Sequence, residues 1–311
     1  MPREPDLTLL EQPAPLRWLL ATRPAFLLLA VVAVAIGLAA AGREAGIDML
    51  TAGLTLLGAV LFHAAVNVDN DYFDAVNGSD ADNPGRLFPF TGGSRMIQNG
   101  VLSFAQTRRL AMALYAATAA VGLLLVAKTG PWLLGLGLLG ALLGWAYSAP
   151  PLALASRGLG ELVVGAGFGL LIPAGAALVQ HGAPMVDAAW AGAGFAAMVT
   201  AILLINEFPD HDADRRAGKH NLIVRLGPRH GRWLYALAIA LAAVIPPLLA
   251  ITGRLPVTAL LAPIALIPTI PALILVSRHA EQPARLVPAI RATITATLAY
   301  GVLMSVGLTL G

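Results

Sequence analysis

Asn67-Val68-Asp69-Asn70-Asp71-Tyr72-Phe73-Asp74 closes one long apolar run, and Asn206-Glu207-Phe208-Pro209-Asp210-His211-Asp212-Ala213-Asp214 closes another. Asp80 and Asp82 follow the first cluster. Both stretches contain Asn-x-x-x-Asp, with a further Asp three or four residues on. Continued as helix, that spacing puts the amide and two carboxylates on one face, about a turn apart. A carboxylate costs about 2.5–3.5 kcal/mol at the centre of a membrane span, and less near the interface. Two such clusters call for a compensating ion, and a divalent metal is the leading candidate.

The rest of the chain explains why the acids stand out. Of 311 residues, 58% are hydrophobic and 12% charged, and mean hydropathy is +0.76. A soluble domain carries about 25% charged residues, so the composition is that of a polytopic membrane protein. The absence of cysteine excludes disulfides, thiolate metal sites and cysteine nucleophiles. The pI near 9.6 invites a nucleic-acid reading, but no continuous basic face supports one, and no nucleic-acid partner is expected. The basic residues follow membrane topology instead.

Nine apolar runs approach the ~20 residues needed to cross a bilayer core. They fall at roughly 24–41, 47–69, 109–127, 131–149, 159–180, 188–206, 233–252, 255–276 and 289–309. With the N-terminus inside, seventeen lysines and arginines lie on the cytoplasmic side, and only Arg43, Lys128 and Arg254 lie opposite. That asymmetry predicts a single all-α membrane domain over 1–311, a bundle of nine spans with the N-terminus cytoplasmic and the C-terminus outside. Ala39-Ala40-Ala41 resembles a signal-peptide cleavage site, but the long polar stretch before the first span and the eight spans after it argue against cleavage.

On this topology the second and sixth spans both end in the cytoplasm, so the two acidic clusters share one membrane face. Their correspondence suggests duplication of a four-helix unit. The two long cytoplasmic loops, roughly 75–108 and 211–232, follow the clusters. The first is rich in turn formers, and Ser103 is the expected cap of the next helix. Pro173, Pro246, Pro247, Pro263, Pro268 and Pro271 should kink their spans.

Surface charge could explain one such cluster, whereas two on one face fit a shared ligand. Magnesium takes carboxylate oxygens plus substrate phosphates and keeps several waters, so facing Asp-rich motifs suit a metal-bridged diphosphate. A coupling-ion site would more often lie near the membrane midplane. That weighs against a cation-coupled transporter, the competing class. A leaving diphosphate also needs cations. Arg95 follows Gly93-Ser94, where the backbone is open to a phosphate, and Arg157 closes the compact Pro150-Pro151 turn. Lys219, Arg215 and Arg216 follow the second cluster. Arg225, Arg229 and Arg232 read as positive-inside charge. His63 sits four residues before Asn67 on the same helix face, and reads either as packing or as a substrate-orienting group. Tyr147 is a candidate to touch an aromatic acceptor, Tyr72 reads as an ordinary interfacial tyrosine, and Glu161 as a helix-start acid. No Walker-type loop, His-Glu-x-x-His or Gly-x-Ser-x-Gly motif occurs.

At these residues the chain resembles the UbiA superfamily of intramembrane prenyltransferases. Asn70-Asp71-Tyr72-Phe73-Asp74 with Asp80 is similar to that family's first Asp-rich motif. Asn206…Asp210…Asp214, with Arg215-Arg216-x-Gly218-Lys219-x-Asn221, is similar to its second. The spacing to Asp80 and the later Val224-Arg225-Leu226-Gly227 resemble most the branch that prenylates 1,4-dihydroxy-2-naphthoate in menaquinone synthesis. The chain departs from many relatives at position 151, which is proline where they carry lysine, with Arg157 the candidate substitute.

The resemblance implies a Mg²⁺-dependent enzyme that moves a polyprenyl group from an allylic diphosphate to an aromatic acceptor at the cytoplasmic face of the inner membrane. Asp71, Asp74, Asp210 and Asp214 would hold Mg²⁺. Asn67, Asn70, Asn206, Asp80, Arg95, Tyr147, Arg157, Lys219 and His63 would lie on the substrate side. Other acceptors of the superfamily (4-hydroxybenzoate, homogentisate, a chlorophyllide) remain open, and Asp69, Asp82 and Asp212 are left without a role.

Overall fold

Helices long and apolar enough to cross a membrane run over Pro24–Gly42, Met49–Asn77, Phe104–Thr129, Pro131–Ser148, Gly160–His181, Val186–Arg216, Pro228–Ile251 and Pro283–Leu310. A bent pair, Val257–Leu266 and Thr269–His279, makes a ninth, so that these are the first to ninth spans in chain order with the bent pair eighth. The computed structural model describes residues 3–43, 46–81 and 83–311, so Asp82 lies outside the described residues. Helix is the only regular structure among the described residues.

Local sequence sets the helix starts. Pro24, Pro131 and Pro228 each begin a span, where the missing N–H costs nothing. Ser103 caps the third span as expected, in a reciprocal box with Gln106. Asp48 caps the second through the amides of Leu50 and Thr51.

Three expectations change. The second and sixth spans do not stop at the interface but continue through both acidic clusters, to Asn77 and Arg216. The loops that follow are correspondingly shorter. The eighth span is not one helix: its two halves meet at 43°. Pro263, Pro268 and Pro271 each lack an amide donor, so an unbroken i→i−4 ladder cannot run through this segment. Its first half is wound as 3₁₀ helix. By contrast, Pro246 and Pro247 lie inside one continuous helix, where neighbouring groups in a membrane bundle tolerate the freed carbonyls.

The sixth span is the central strut, packed against the first, fifth, seventh and ninth. Small residues permit this. A Cβ built on Gly192 would drive into the Gly169 carbonyl of the fifth span, so the two backbones touch where Gly169 sits in a π-helical turn, Gly167–Leu171. Such close crossings replace hydrophobic burial as the packing force in lipid. Interhelical hydrogen bonds lock the same core: Tyr235 Oη to Thr293 Oγ1 at 2.7 Å, and Tyr300 Oη to the Ala242 carbonyl at 2.8 Å. Gly192→Ala is therefore expected to destabilise the bundle by about 1–3 kcal/mol through overpacking, seen as a lower melting temperature in detergent. A melt unchanged from wild type would contradict this packing.

Candidate active site

Helix periodicity brings the two acidic clusters to one end of the bundle. Asp71 and Asp74 lie on one face of the second span, Asp210 and Asp214 on one face of the sixth. Asp71, Asp74 and Asp214 are buried. Asp74, Asp210 and Asp214 line one cleft together with Asp80, Tyr147 and Lys219. The described parts of the following loop, 78–81 and 83–103, lie at this end and supply donors to the acids.

Each carboxylate has its own anchors. Asp71 accepts the Ser94 amide at 3.1 and 3.3 Å. Asp210 accepts Asn83 Nδ2 at 2.6 Å and the Gly92 amide at 3.3 Å. Asp74 accepts Asn70 Nδ2 at 3.1 Å, and Asn70 also donates to Ser148 Oγ at 3.1 Å, tying the fourth span to the site. Asp214 accepts Asn221 Nδ2 at 2.8 Å. Asn221 in turn caps the short helix Leu222–Leu226 through the Val224 amide, so one side chain fixes both the loop and the acid.

Lys219 bridges the clusters, 3.0 Å from Asp74 Oδ2 and 3.9 Å from Asp214 Oδ1. Burial alone would lower its pKa, but Asp214 and Asp74 hold its ammonium well above the usual lysine range. One lysine does not balance the acids around it. Burial pushes Asp80 well above the ordinary carboxylate range, and Asp74, Asp71 and Asp210 push it the same way. Asp80 Oδ2 is buried without a partner. Beside it Gly93 leaves a cradle: a Cβ there would strike Asp80 Oδ2 and stand 3.0 Å from Asp71 Oδ1.

These features fit Mg²⁺. Among the described residues no three acidic or imidazole side chains converge into a closed metal cage. An ion held by one or two carboxylates and completed by phosphate oxygens and water needs none. The orphaned Asp80 oxygen and the open space at Gly93, beside Asp71, are where a bound cation would relieve the charge of these acids.

The other sequence candidates divide. Asn206, Tyr147 and Lys219 line the cleft. Asn67 lies off the lining and holds the Thr22 carbonyl at 3.0 Å. Arg95 is buried, donates to the Asp80 carbonyl and lies 3.8 Å from Glu4, so it buttresses the acid-bearing loop. Glu4 also pairs with Arg86 at 2.7 Å, and Asn99 donates to the Pro5 carbonyl at 2.7 Å. The N-terminal segment thus straps the loop, and the Arg86 hydrogen bond holds the Glu4 carboxyl below its usual range. Arg157 is exposed and donates to the Pro151 carbonyl at 2.6 Å, which keeps it out of the cleft. His63 packs edge-on to Phe168, ring centroids 4.6 Å apart, in the position of a packing residue rather than a cleft group.

Asp69 bonds Arg108 at 2.6 Å, and that guanidinium also covers Tyr72 and Phe73, so this acid faces the third span. Asp212 is exposed beside His211. Sequence reasoning assigns no site role to Arg23, Asn83, Glu207 or Asn221, although Glu207 and Asn221 stand in its quoted motifs. Arg23 had been counted only as topological charge, yet it lines the cleft, with Nε buried and unpartnered. Its φ of 57°, uncommon for a residue with a Cβ, turns the chain between helix Ala14–Ala21 and the first span.

Comparison with known proteins converges on one family. Residues 28–302 match the model of the UbiA prenyltransferase family. The 1,4-dihydroxy-2-naphthoate octaprenyltransferase of Escherichia coli is 32% identical over 70% of this chain and 71% of its own length. The enzyme of that name from Mycobacterium tuberculosis is 31% identical over 74% and 76%. In fold, the chain is similar to a UbiA homologue from Archaeoglobus fulgidus bound to DMAPP and Mg²⁺, with TM-score 0.65, 17% identity, and 93% and 99% of the two chains covered.

Proposed function

The chain belongs to the UbiA prenyltransferase family, and from that premise we propose that it transfers a polyprenyl group from an allylic polyprenyl diphosphate to 1,4-dihydroxy-2-naphthoate, releasing diphosphate, in menaquinone synthesis. The observation that carries the reading is the convergence of Asp74, Asp80, Asp210 and Asp214 with Lys219 on one cleft, with Asp71 beside it. The acceptor rests on the two naphthoate prenyltransferases that the chain resembles over most of its length.

Mg²⁺, held by Asp71, Asp74, Asp210 and Asp214, would bind the diphosphate and neutralise the charge that grows as it leaves. The chain's own residues do the rest. Lys219 reaches the same oxygens from between the clusters. Asn70, Asn83, the Gly92 amide and the Ser94 amide hold the carboxylates in place before the donor arrives, so little reorganisation remains at the moment of reaction. Arg23 supplies a further cation to the cleft lining. The C–O bond ionises, the ring carbon attacks the allylic carbon, and loss of a proton or of CO₂ restores aromaticity. The polyprenyl tail runs among the apolar spans, and the dry walls keep water from the cation. The seventeen-to-three charge asymmetry supports a cytoplasmic N-terminus and a site open to the cytoplasm of the inner membrane.

The test is purified protein with Mg²⁺, a polyprenyl diphosphate and four acceptors: dihydroxynaphthoate, 4-hydroxybenzoate, homogentisate and a chlorophyllide. Mass spectrometry is expected to find the prenylated naphthalene product; a product only from another acceptor reassigns the substrate. EDTA is expected to abolish turnover and added Mg²⁺ to restore it. Activity that survives exhaustive chelation would defeat the metal–diphosphate reading.

A further inference from the structure

Glu4 is remote in sequence from both acidic clusters, yet three positions of the loop at the cleft end converge on its one carboxylate. Arg86 grips it with two bonds, Nε to Oε1 at 2.7 Å and Nη2 to Oε2 at 3.2 Å. Arg95 Nε stands 3.8 Å from Oε2, and Asn99 Nδ2 donates to that oxygen at 3.3 Å. A two-pronged bond of this kind fixes the guanidinium in orientation as well as in place. Apolar contacts hold the same two segments together, because Leu9 and Trp18 pack against a cluster that includes Met96, Val101 and Leu102.

The contacts continue from Arg86 to the acids. Its remaining nitrogen, Nη1, donates to the Asn83 carbonyl at 2.9 Å, and Asn83 Nδ2 is the donor 2.6 Å from Asp210 Oδ1. The arginine stem fills the space beside Gly92, where a built Cβ would stand 2.9 Å from Arg86 Cβ. Gly92 gives Asp210 a second donor, its amide 3.3 Å from Oδ2. One arginine thus borders both of these donors, and Glu4 sets the orientation of that arginine. A parallel line runs through Arg95, which is buried and donates to the Asp80 carbonyl. The residue before it, Ser94, presents its amide to Asp71. Removing the charge of Glu4 takes from both guanidinium groups the carboxylate they share, and like charges then push the two loop segments apart.

We infer that Glu4 is a positioning residue for the metal–diphosphate site, acting through Arg86 and Asn83 on Asp210 and through Arg95 on Asp80; this rests on the prenyl-transfer reading above. The line of contacts decides which constants respond. Asp210 and Asp80 belong to the acids that would meet Mg²⁺ and the diphosphate, so Glu4 governs how tightly those two bind together. Neither arginine lines the cleft itself. The effect of Glu4 therefore passes through the acids alone, and affinity for the ring acceptor does not follow it.

The experiment titrates inorganic diphosphate, with Mg²⁺ present, into purified protein in detergent and reads the rise in melting temperature, which reports binding to the folded state. The KM values for donor and acceptor are measured beside it. Glu4→Gln keeps the shape of the side chain and removes its charge. It is expected to weaken diphosphate binding and to raise the donor KM about ten-fold each, the scale of one charge-assisted hydrogen bond, with the acceptor KM unchanged. Arg86→Lys keeps the charge but cannot hold Glu4 and the Asn83 carbonyl at once in the same geometry, and should show most of the same loss. Glu4→Asp, which keeps the carboxylate, should recover part of it. Asp6→Asn removes a neighbouring exposed charge bonded to Thr8 and should behave as wild type. A Glu4→Gln or Arg86→Lys protein that binds diphosphate as wild type does overturns the assignment. So does an equal loss in Asp6→Asn, since nearby charge alone would then suffice. A matching rise in the acceptor KM overturns it as well, because a loosened fold weakens both substrates together. Wild type that Mg²⁺ and diphosphate together fail to stabilise overturns the functional reading itself.

Discussion

Asp210→Asn is expected to lower the rate of prenyl transfer by about a thousand-fold while the protein inserts and melts as wild type does. The substitution keeps the size of the side chain and removes its charge. In the native site, Asp210 accepts from Asn83 Nδ2 at 2.6 Å and from the Gly92 amide at 3.3 Å. An asparagine oxygen can face only one of those donors, so its amide nitrogen is set against the other. The larger effect is electrostatic. Loss of one preorganised charge-stabilising group typically costs about 10²–10³ in rate, and a metal ligand belongs at the upper end. Asp74→Asn should match it, because it also strips Lys219 of its nearer carboxylate, at 3.0 Å. Diphosphate release in detergent micelles is the measurement, and more than a tenth of wild-type activity in either variant would defeat the assignment.

Gly93→Ala should disable the site as thoroughly from the loop side. The residue has φ of +71°, and a Cβ there would strike Asp80 Oδ2 and stand 3.0 Å from Asp71 Oδ1. The left-handed backbone costs an alanine about 1–2 kcal/mol. The added methyl also occupies the space in which an ion and a phosphate would meet the acids. At least a hundred-fold loss of activity is expected, with a raised KM for the donor. Gly78→Ala separates the two causes: its φ is +87° but nothing lies within 4 Å of the built Cβ. It carries the strain without the obstruction and should stay within a few-fold of wild type. Equal damage from both substitutions would mean that strain alone explains Gly93.

The acids could be read from the sequence because their signal is local: an amide and two carboxylates at helical spacing on each of two spans. The spans were legible for the same reason, hydropathy being a property of a continuous window. What escaped the sequence depends on distant partners. Asn83 meets Asp210 across 127 positions, and no spacing rule reaches that far. Glu207 sits inside the second acidic cluster, but its place in the wall of the cleft shows only once the fifth and sixth spans cross. Glu161 looked like an ordinary helix-start acid until its depth was known. Arg23 had one weak local mark, its place directly before Pro24 at the start of a span. Arg157 was drawn toward the cleft by the company of a Pro-Pro turn, and the structure turns it outward onto the Pro151 carbonyl. The competing transporter class gives way to membership of the prenyltransferase family.

The strap formed by Glu4 has a practical side. Arg86 and Arg95 both lean on it, and the same loop delivers Asn83, Gly92 and Ser94 to the acids of the cleft end. An affinity tag or a truncation that disturbs the segment around Glu4 would tug on the loop that lines the acidic cleft. Purification handles therefore belong away from this strap, and preparations that differ only in the segment before Glu4 should be compared for turnover before their rates are pooled.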